Sequence, residues 1–131
     1  MIVFDASSIV GVALKADSTP WRALEKARNS DRLAMSDAVA EEIQDVLRRP
    51  KFAFTLTPAR LAEVEGWMLT DSDWFEPKIQ VFDCRDPKDN KYLELALAAN
   101  ASALISSDKD LLALHPWRGI PILRPAEYLQ R

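Results

Sequence analysis

Two hydrophobic periods alternate along this chain. Short apolar runs are separated by longer stretches in which apolar positions recur at i+3 and i+4. The first run, Met1-Ile2-Val3-Phe4, predicts a short buried strand with Asp5 at its C-terminal end. Ile9 to Leu14 predicts a helix behind it, capped by Ser7 or Ser8. Pro20 to Asn29 carries Trp21, Leu24 and Ala27 at helical spacing, with Pro20 near its start. Leu33-Ala34-Met35 predicts a second strand. From Ser36 to about Arg48 the period is helical, with Ser36 as cap, Val39, Ile43, Val46 and Leu47 on one face, and Pro50 as the stop.

Thr57-Pro58 opens a further helix, with Leu61, Val64, Glu65 and Met68 repeating on one stripe. Ile79-Gln80-Val81-Phe82 predicts the third strand. Asp86-Pro87 begins an Ala- and Leu-rich helix of high propensity that runs to Ala99. Ala103-Leu104-Ile105 predicts the fourth strand, and Asp108 caps a brief helix to about Leu114. Ile120-Pro121-Ile122-Leu123 predicts the fifth, its internal proline suiting a sheet edge, and Pro125 to Gln130 a closing helix. Strand and helix alternate throughout, with no repeat or linker, so residues 1–131 read as one α/β domain around a mostly parallel sheet covered on both faces.

Composition narrows the class. At 48% hydrophobic and 28% charged residues, the chain is not of the disordered type. The lone Cys84 excludes an internal disulfide and suits a reducing compartment. No apolar run approaches the roughly 20 residues of a membrane span, and no basic-then-apolar leader is read. A cytoplasmic protein is expected. The net charge of −3, from 17 Lys plus Arg against 20 Asp plus Glu, gives no global basic signature for nucleic acid. A local basic patch would still suffice.

The acids fall in a pattern. Asp5 ends the first strand, Glu41 and Glu42 lie in the helix after the second, Asp86 and Asp89 open the helix before the fourth, and Asp108 and Asp110 follow the fourth. If strands one, two and four are neighbours, these groups gather at one edge. Clustered carboxylates repel unless a cation neutralises them, which points to a hard-metal site for Mg²⁺ or Mn²⁺. Asp5, Asp86 and Asp108 also suit helix caps, and one residue can serve both ends. Between the glutamates, Glu42 lies about a quarter turn from the apolar face of its helix and Glu41 nearly opposite it. Asp89 shares a stripe with Leu93 and Ala96. Burying an acid beside an apolar face is costly unless it is paired or metal-bound, so Glu42 and Asp89 are the better ligand candidates.

Other chemistries find little support. Gly11, Gly66 and Gly119 form neither a P-loop nor a dinucleotide fingerprint. His115 stands alone and reads as a capping or surface residue. Cys84 reads as a packed side chain. Trp21, Trp67, Trp74 and Trp117 read as core or interface.

Taken in order, the motifs resemble those of the PIN-domain ribonucleases, and most closely the branch of toxin components of toxin–antitoxin systems. They are Val3-Phe4-Asp5; Ser36-x5-Glu42 with Val46-Leu47-Arg48-Arg49-Pro50-Lys51-Phe52 behind it; Arg85-Asp86-Pro87-Lys88-Asp89-Asn90-Lys91 leading to Leu95-Ala96; Leu104 through Leu112; and Ile120-Pro121-Ile122-Leu123. The resemblance implies a three-layer α/β/α sandwich with a five-stranded parallel sheet ordered 3-2-1-4-5. It implies a Mg²⁺- or Mn²⁺-dependent ribonuclease with Asp5, Glu42, Asp89 and Asp108 as its acidic cluster, and Asp86 and Asp110 as accessory ligands. It further implies an RNA substrate, a cognate antitoxin as partner, and homodimerisation. Arg48, Arg49, Lys51, Lys88, Lys91 and Lys109 are candidates for phosphate contacts.

Two departures bear on activity. Where the family often has threonine then asparagine after its first acid, this chain has Ala6 and Ser7, and Ser106 stands for a common threonine. Weaker support of the metal ligands is the expected consequence. A PIN-like protein-binding module that has lost catalysis is therefore the alternative. A phosphate-accepting receiver domain is disfavoured, because Ile120–Arg131 contains no lysine.

Overall fold

In the computed structural model, which describes residues 1–131, the apolar runs form the centre of a sheet. Strands β1 (Ile2–Phe4), β2 (Leu33–Met35) and β4 (Ala103–Ile105) are buried at every position, as strands covered on both faces must be. With β3 (Ser72–Trp74) and β5 (Ile122–Leu123) they form a five-stranded sheet in the order β3-β2-β1-β4-β5, every pairing parallel. Seven helices cover it: α1 (Ala6–Leu14), α2 (Thr19–Ser30), α3 (Asp37–Leu47), α4 (Pro58–Thr70), α5 (Asn90–Ala98), α6 (Lys109–Leu112) and α7 (Pro125–Leu129). The chain steps one way across the sheet from β1 to β3, then returns past β1 to β4. Because parallel crossovers are right-handed, this reversal puts the β3–β4 connection through α5 on the opposite face from α1 to α4. The result is an α/β/α sandwich. One contiguous cluster of 37 buried residues runs through its two interlayer spaces.

The third strand is not the one the apolar pattern predicts. Ile79–Phe82 lies in an extended loop, with Ile79 and Phe82 exposed and only Val81 buried. The Val81 amide donates to Glu94 Oε2 at 2.9 Å, not to a neighbouring strand. The observed β3 is the mostly polar Ser72-Asp73-Trp74, paired with Leu33, Ala34 and Met35 of β2. An edge strand with one neighbour needs backbone pairing more than apolar side chains. Asp73 is held by Arg32, and only Ser72 is buried.

The first helix also starts earlier than expected. Its cap is Asp5, whose Oδ1 accepts from the Ser8 amide at 2.9 Å, not Ser7 or Ser8. Within α1, Gly11 lets the start of α2 approach closely, since a Cβ there would lie 2.7 Å from Pro20 Cγ. Trp117 is buried and Trp21 packs edge-on against Trp67. Trp74 is exposed on the edge strand.

Candidate active site

All five strands point the same way, so the segments that follow them emerge at one edge, and the chain's direction across the sheet reverses between β1 and β4. Such a switch point is where open α/β sheets form clefts. Asp5 stands there. It is 2% exposed, and burial pushes its carboxyl above the usual range. Hydrogen bonds from Ser106, the Ser8 amide and Ser7 oppose that rise. Ser7 Oγ lies 2.8 and 2.9 Å from the two carboxylate oxygens, and Ser106 Oγ donates to Oδ2. Ser106 in turn accepts from the Asp108 amide at 2.9 Å, tying the first acid to the fourth.

Glu42 projects from α3 and is half-buried, whereas Glu41 is exposed. Two residues of the first turn of α5 meet Glu42. Tyr92 Oη donates to Oε1 at 2.7 Å, and Lys91 Nζ forms an ion pair with Oε2. Burial and the Glu42 carboxylate hold the phenol far above its ordinary range, so it stays protonated. Asp89 ends the 3₁₀ turn Pro87–Asp89 that leads into α5. Its carboxyl is pushed up to about 8, first by burial, then by a hydrogen bond and charge repulsion from Asp108, with Asp86 and Glu42 adding to it. Asp86 caps that turn through the Lys88 amide at 3.0 Å, and Asp108 caps α6 through the Asp110 amide at 3.2 Å.

The structure thus links Asp5, Asp108, Asp89 and Glu42 in a chain of contacts and charges. It does not close three of them, or any three of Asp, Glu, His and Cys, around one point fit to hold an ion. Asp110 contributes its amide to the Asp108 cap. The oxygen donors able to serve a hard cation here are the carboxylates of Asp5, Glu42, Asp89 and Asp108, with Asp86 at the rim.

In front of Glu42, Asp86 and Asp89 lies an open groove of about 840 Å³, lined also by Ala6 and Ser7, by Glu41 and Asp45, and by Arg49, Lys51, Lys88 and Lys91, whereas Asp5, Asp108 and Asp110 do not line it. Four of the six basic residues picked out in the sequence therefore face the groove. Arg48 is instead paired with Glu65 at 2.6 Å, and Lys109 does not line the groove. Two side chains carry more of the site than their sequence pattern suggests. Tyr92 looks like a core aromatic, and its spacing of i+3 from Asp89 is the one signal that places it on the same stripe. Ser106 bridges two acids.

A family model described as the PIN domain matches residues 1–110. The chain belongs to the PIN domain family. Among solved structures, this PIN domain is similar to VapBC2 from Rickettsia felis, described as bound to a DNA fragment from their promoter. The TM-score there is 0.61, at 13% identity over 93% of this chain and 97% of the other. It is also similar to PAE2754 from Pyrobaculum aerophilum, with a TM-score of 0.59 and 18% identity over 98% of this chain and 87% of that one. At such identities the likeness is one of fold. No curated protein matches the chain. No helix of this PIN domain is long and apolar enough to cross a membrane.

Proposed function

We propose that this chain is a single PIN domain acting as a Mg²⁺- or Mn²⁺-dependent endoribonuclease, the cytoplasmic toxin of a toxin–antitoxin pair. The observation that carries the reading is the crowding of Glu42, Asp86 and Asp89 along one basic-rimmed groove, where burial and the neighbouring carboxylates, Asp108 first, push the Asp89 carboxyl up to about 8. A group in that position wants a cation. Asp5, Glu42, Asp89 and Asp108 would hold it, with Asp86 and Asp110 as accessory groups. A divalent ion bound there supplies charge neutralisation at a scissile phosphate and a more acidic water. The residues supply the rest. Arg49, Lys51, Lys88 and Lys91 bind the phosphate backbone. Ser7 and Ser106 orient the Asp5 oxygens. Burial and the neighbouring Asp108 favour the protonated form of the Asp89 carboxyl when no cation is present. The toxin role draws on the family and on the fold shared with a VapBC complex.

The test is cleavage of a panel of structured and single-stranded RNAs with Mn²⁺, Mg²⁺ or EDTA, wild type beside Asp5→Asn. Metal-dependent cleavage lost in the variant supports the assignment, and undiminished cleavage by folded Asp5→Asn sinks it. The second reading, a PIN-like protein-binding module without catalysis, has the Lys91–Glu42 ion pair in its favour, because that ammonium already neutralises one of the four acids. Wild-type protein that neither cleaves RNA nor gains stability from Mn²⁺ would favour it.

A further inference from the structure

We infer that Tyr92 is a positioning residue of this site, its hydroxyl fixing Glu42 relative to the segment that carries Asp5. The inference rests on the proposed metal-dependent reading. Tyr92 is 1% exposed, and its Oη accepts from the Ala6 amide at 3.2 Å while donating to Glu42 Oε1 at 2.7 Å. The direction follows from the partners. An amide can only donate, so the single phenolic proton goes to the carboxylate.

Three elements therefore meet at this oxygen, and each carries one of the acids. Ala6 follows Asp5 at the start of α1, Glu42 belongs to α3, and Tyr92 sits three residues after Asp89 on α5. A glutamate has three side-chain torsions, and a half-buried one samples several rotamers unless something restrains it. The phenol restrains Oε1. Oε2 is left to face the cation that the structure does provide, the Lys91 ammonium. Tyr92 and Lys91 thus divide the two Glu42 oxygens between a buried neutral donor and an accessible charge. A divalent ion would compete with Lys91 and leave the Tyr92 bond in place.

A purely structural role makes a different prediction. In that case Tyr92→Phe lowers stability, by leaving the buried Ala6 amide unpaired, and leaves ion affinity alone. The experiment is equilibrium Mn²⁺ binding without RNA, read from the free-ion electron paramagnetic resonance signal. It compares wild type, Tyr92→Phe, Glu42→Gln and the double variant, each checked for folding by near-ultraviolet circular dichroism. Positioning predicts about a tenfold loss of Mn²⁺ affinity in Tyr92→Phe, in the range seen for residues that orient metal ligands. It also predicts that the loss vanishes in the Glu42→Gln background, where there is no carboxylate left to hold. Equal affinity of wild type and Tyr92→Phe, or an undiminished loss in the Glu42→Gln background, overturns the inference while leaving the proposed activity standing. Wild type that binds no Mn²⁺ overturns both. Should Tyr92→Phe fail to fold, Tyr92→Met in the same cycle removes the hydroxyl without adding bulk to the buried site, and it too must lose affinity only while Glu42 is present.

Discussion

Replacing Asp89 with asparagine probes the electrostatics of the acid cluster without substrate or metal. In the unfolded chain the Asp89 carboxyl loses its proton near its ordinary value of 3.8, whereas in the folded protein it is held up to about 8, by burial first and by Asp108, Asp86 and Glu42 after it. Between those two values the folded state carries a proton that the unfolded state lacks. Stability therefore falls as pH rises through that window. At roughly 1.4 kcal/mol per pH unit, a span of about four units sets a ceiling of about 5–6 kcal/mol. Asp89 is only half-buried, so solvent screening removes most of this and leaves about 1–2 kcal/mol. The asparagine keeps the shape and discards the proton. Urea unfolding in EDTA at low salt should show wild type losing about 1–2 kcal/mol more than Asp89→Asn between pH 5 and pH 8, the variant keeping only the slope of the other raised carboxyl, Asp5, and being the more stable protein at pH 8. Near the midpoint of heating the same difference is about 3–6 °C. Added Mn²⁺ should restore wild type at pH 8 and do little for the variant. Parallel pH profiles for the two proteins, or a variant less stable at pH 8, would mean that the Asp89 carboxyl is not raised in the folded state.

Two glycines in helices should respond with opposite signs. Gly66→Ala in α4 meets nothing within 4 Å and should gain about 1 kcal/mol from helix propensity. Gly11→Ala in α1 places a methyl 2.7 Å from Pro20 Cγ, and should lose about 1–2 kcal/mol despite the same propensity gain. Denaturant midpoints of the two variants decide this. Lys91→Met removes the ammonium from Glu42 Oε2 and should tighten Mn²⁺ binding several-fold, on the order of 3- to 10-fold. Unchanged or weaker binding in the same resonance assay would mean that Lys91 does not occupy the cation's place.

Where burial produces a pattern, the sequence reveals the fold. Ile2–Phe4, Leu33–Met35 and Ala103–Ile105 are apolar because helices cover both faces of the central strands, and each is a strand where its run predicts one. Edges obey a different rule. Ser72–Trp74 needs only β2 beside it, so nothing forces it to be apolar, while the Ile79–Phe82 run owes its composition to no sheet position at all. The site divides in the same way. Helical periodicity separates half-buried Glu42 from exposed Glu41, because both lie on one regular helix. Tyr92 stays hidden, since a residue buried among Leu93, Leu95 and Ala96 reads as core until its one polar atom is followed to Glu42 and Ala6. Nor does periodicity reveal that Arg48 is occupied by Glu65, a contact between α3 and α4 that only the fold creates.

Asp5 shows why a capping role and the proposed ligand role need not compete. As a cap, it gives Oδ1 to the Ser8 amide, which locks the carboxylate to the first turn of α1. Ser7 then reaches both oxygens and Ser106 reaches Oδ2. A carboxylate with 2% exposure is costly to bury as an ion, and these donors lower that cost. Replacement of the family's usual threonine and asparagine by Ala6 and Ser7 looks from the sequence like lost support. In the fold the serine hydroxyl sits 2.8 Å from Oδ1, and the Ala6 amide donates to Tyr92. What Ala6 lacks in a side chain, its backbone contributes through the phenol to Glu42. The support around the first acid thus comes from Ser7, Ser106 and, through Ala6, Tyr92, which makes those three side chains the positions where a change should alter the site without touching any acid.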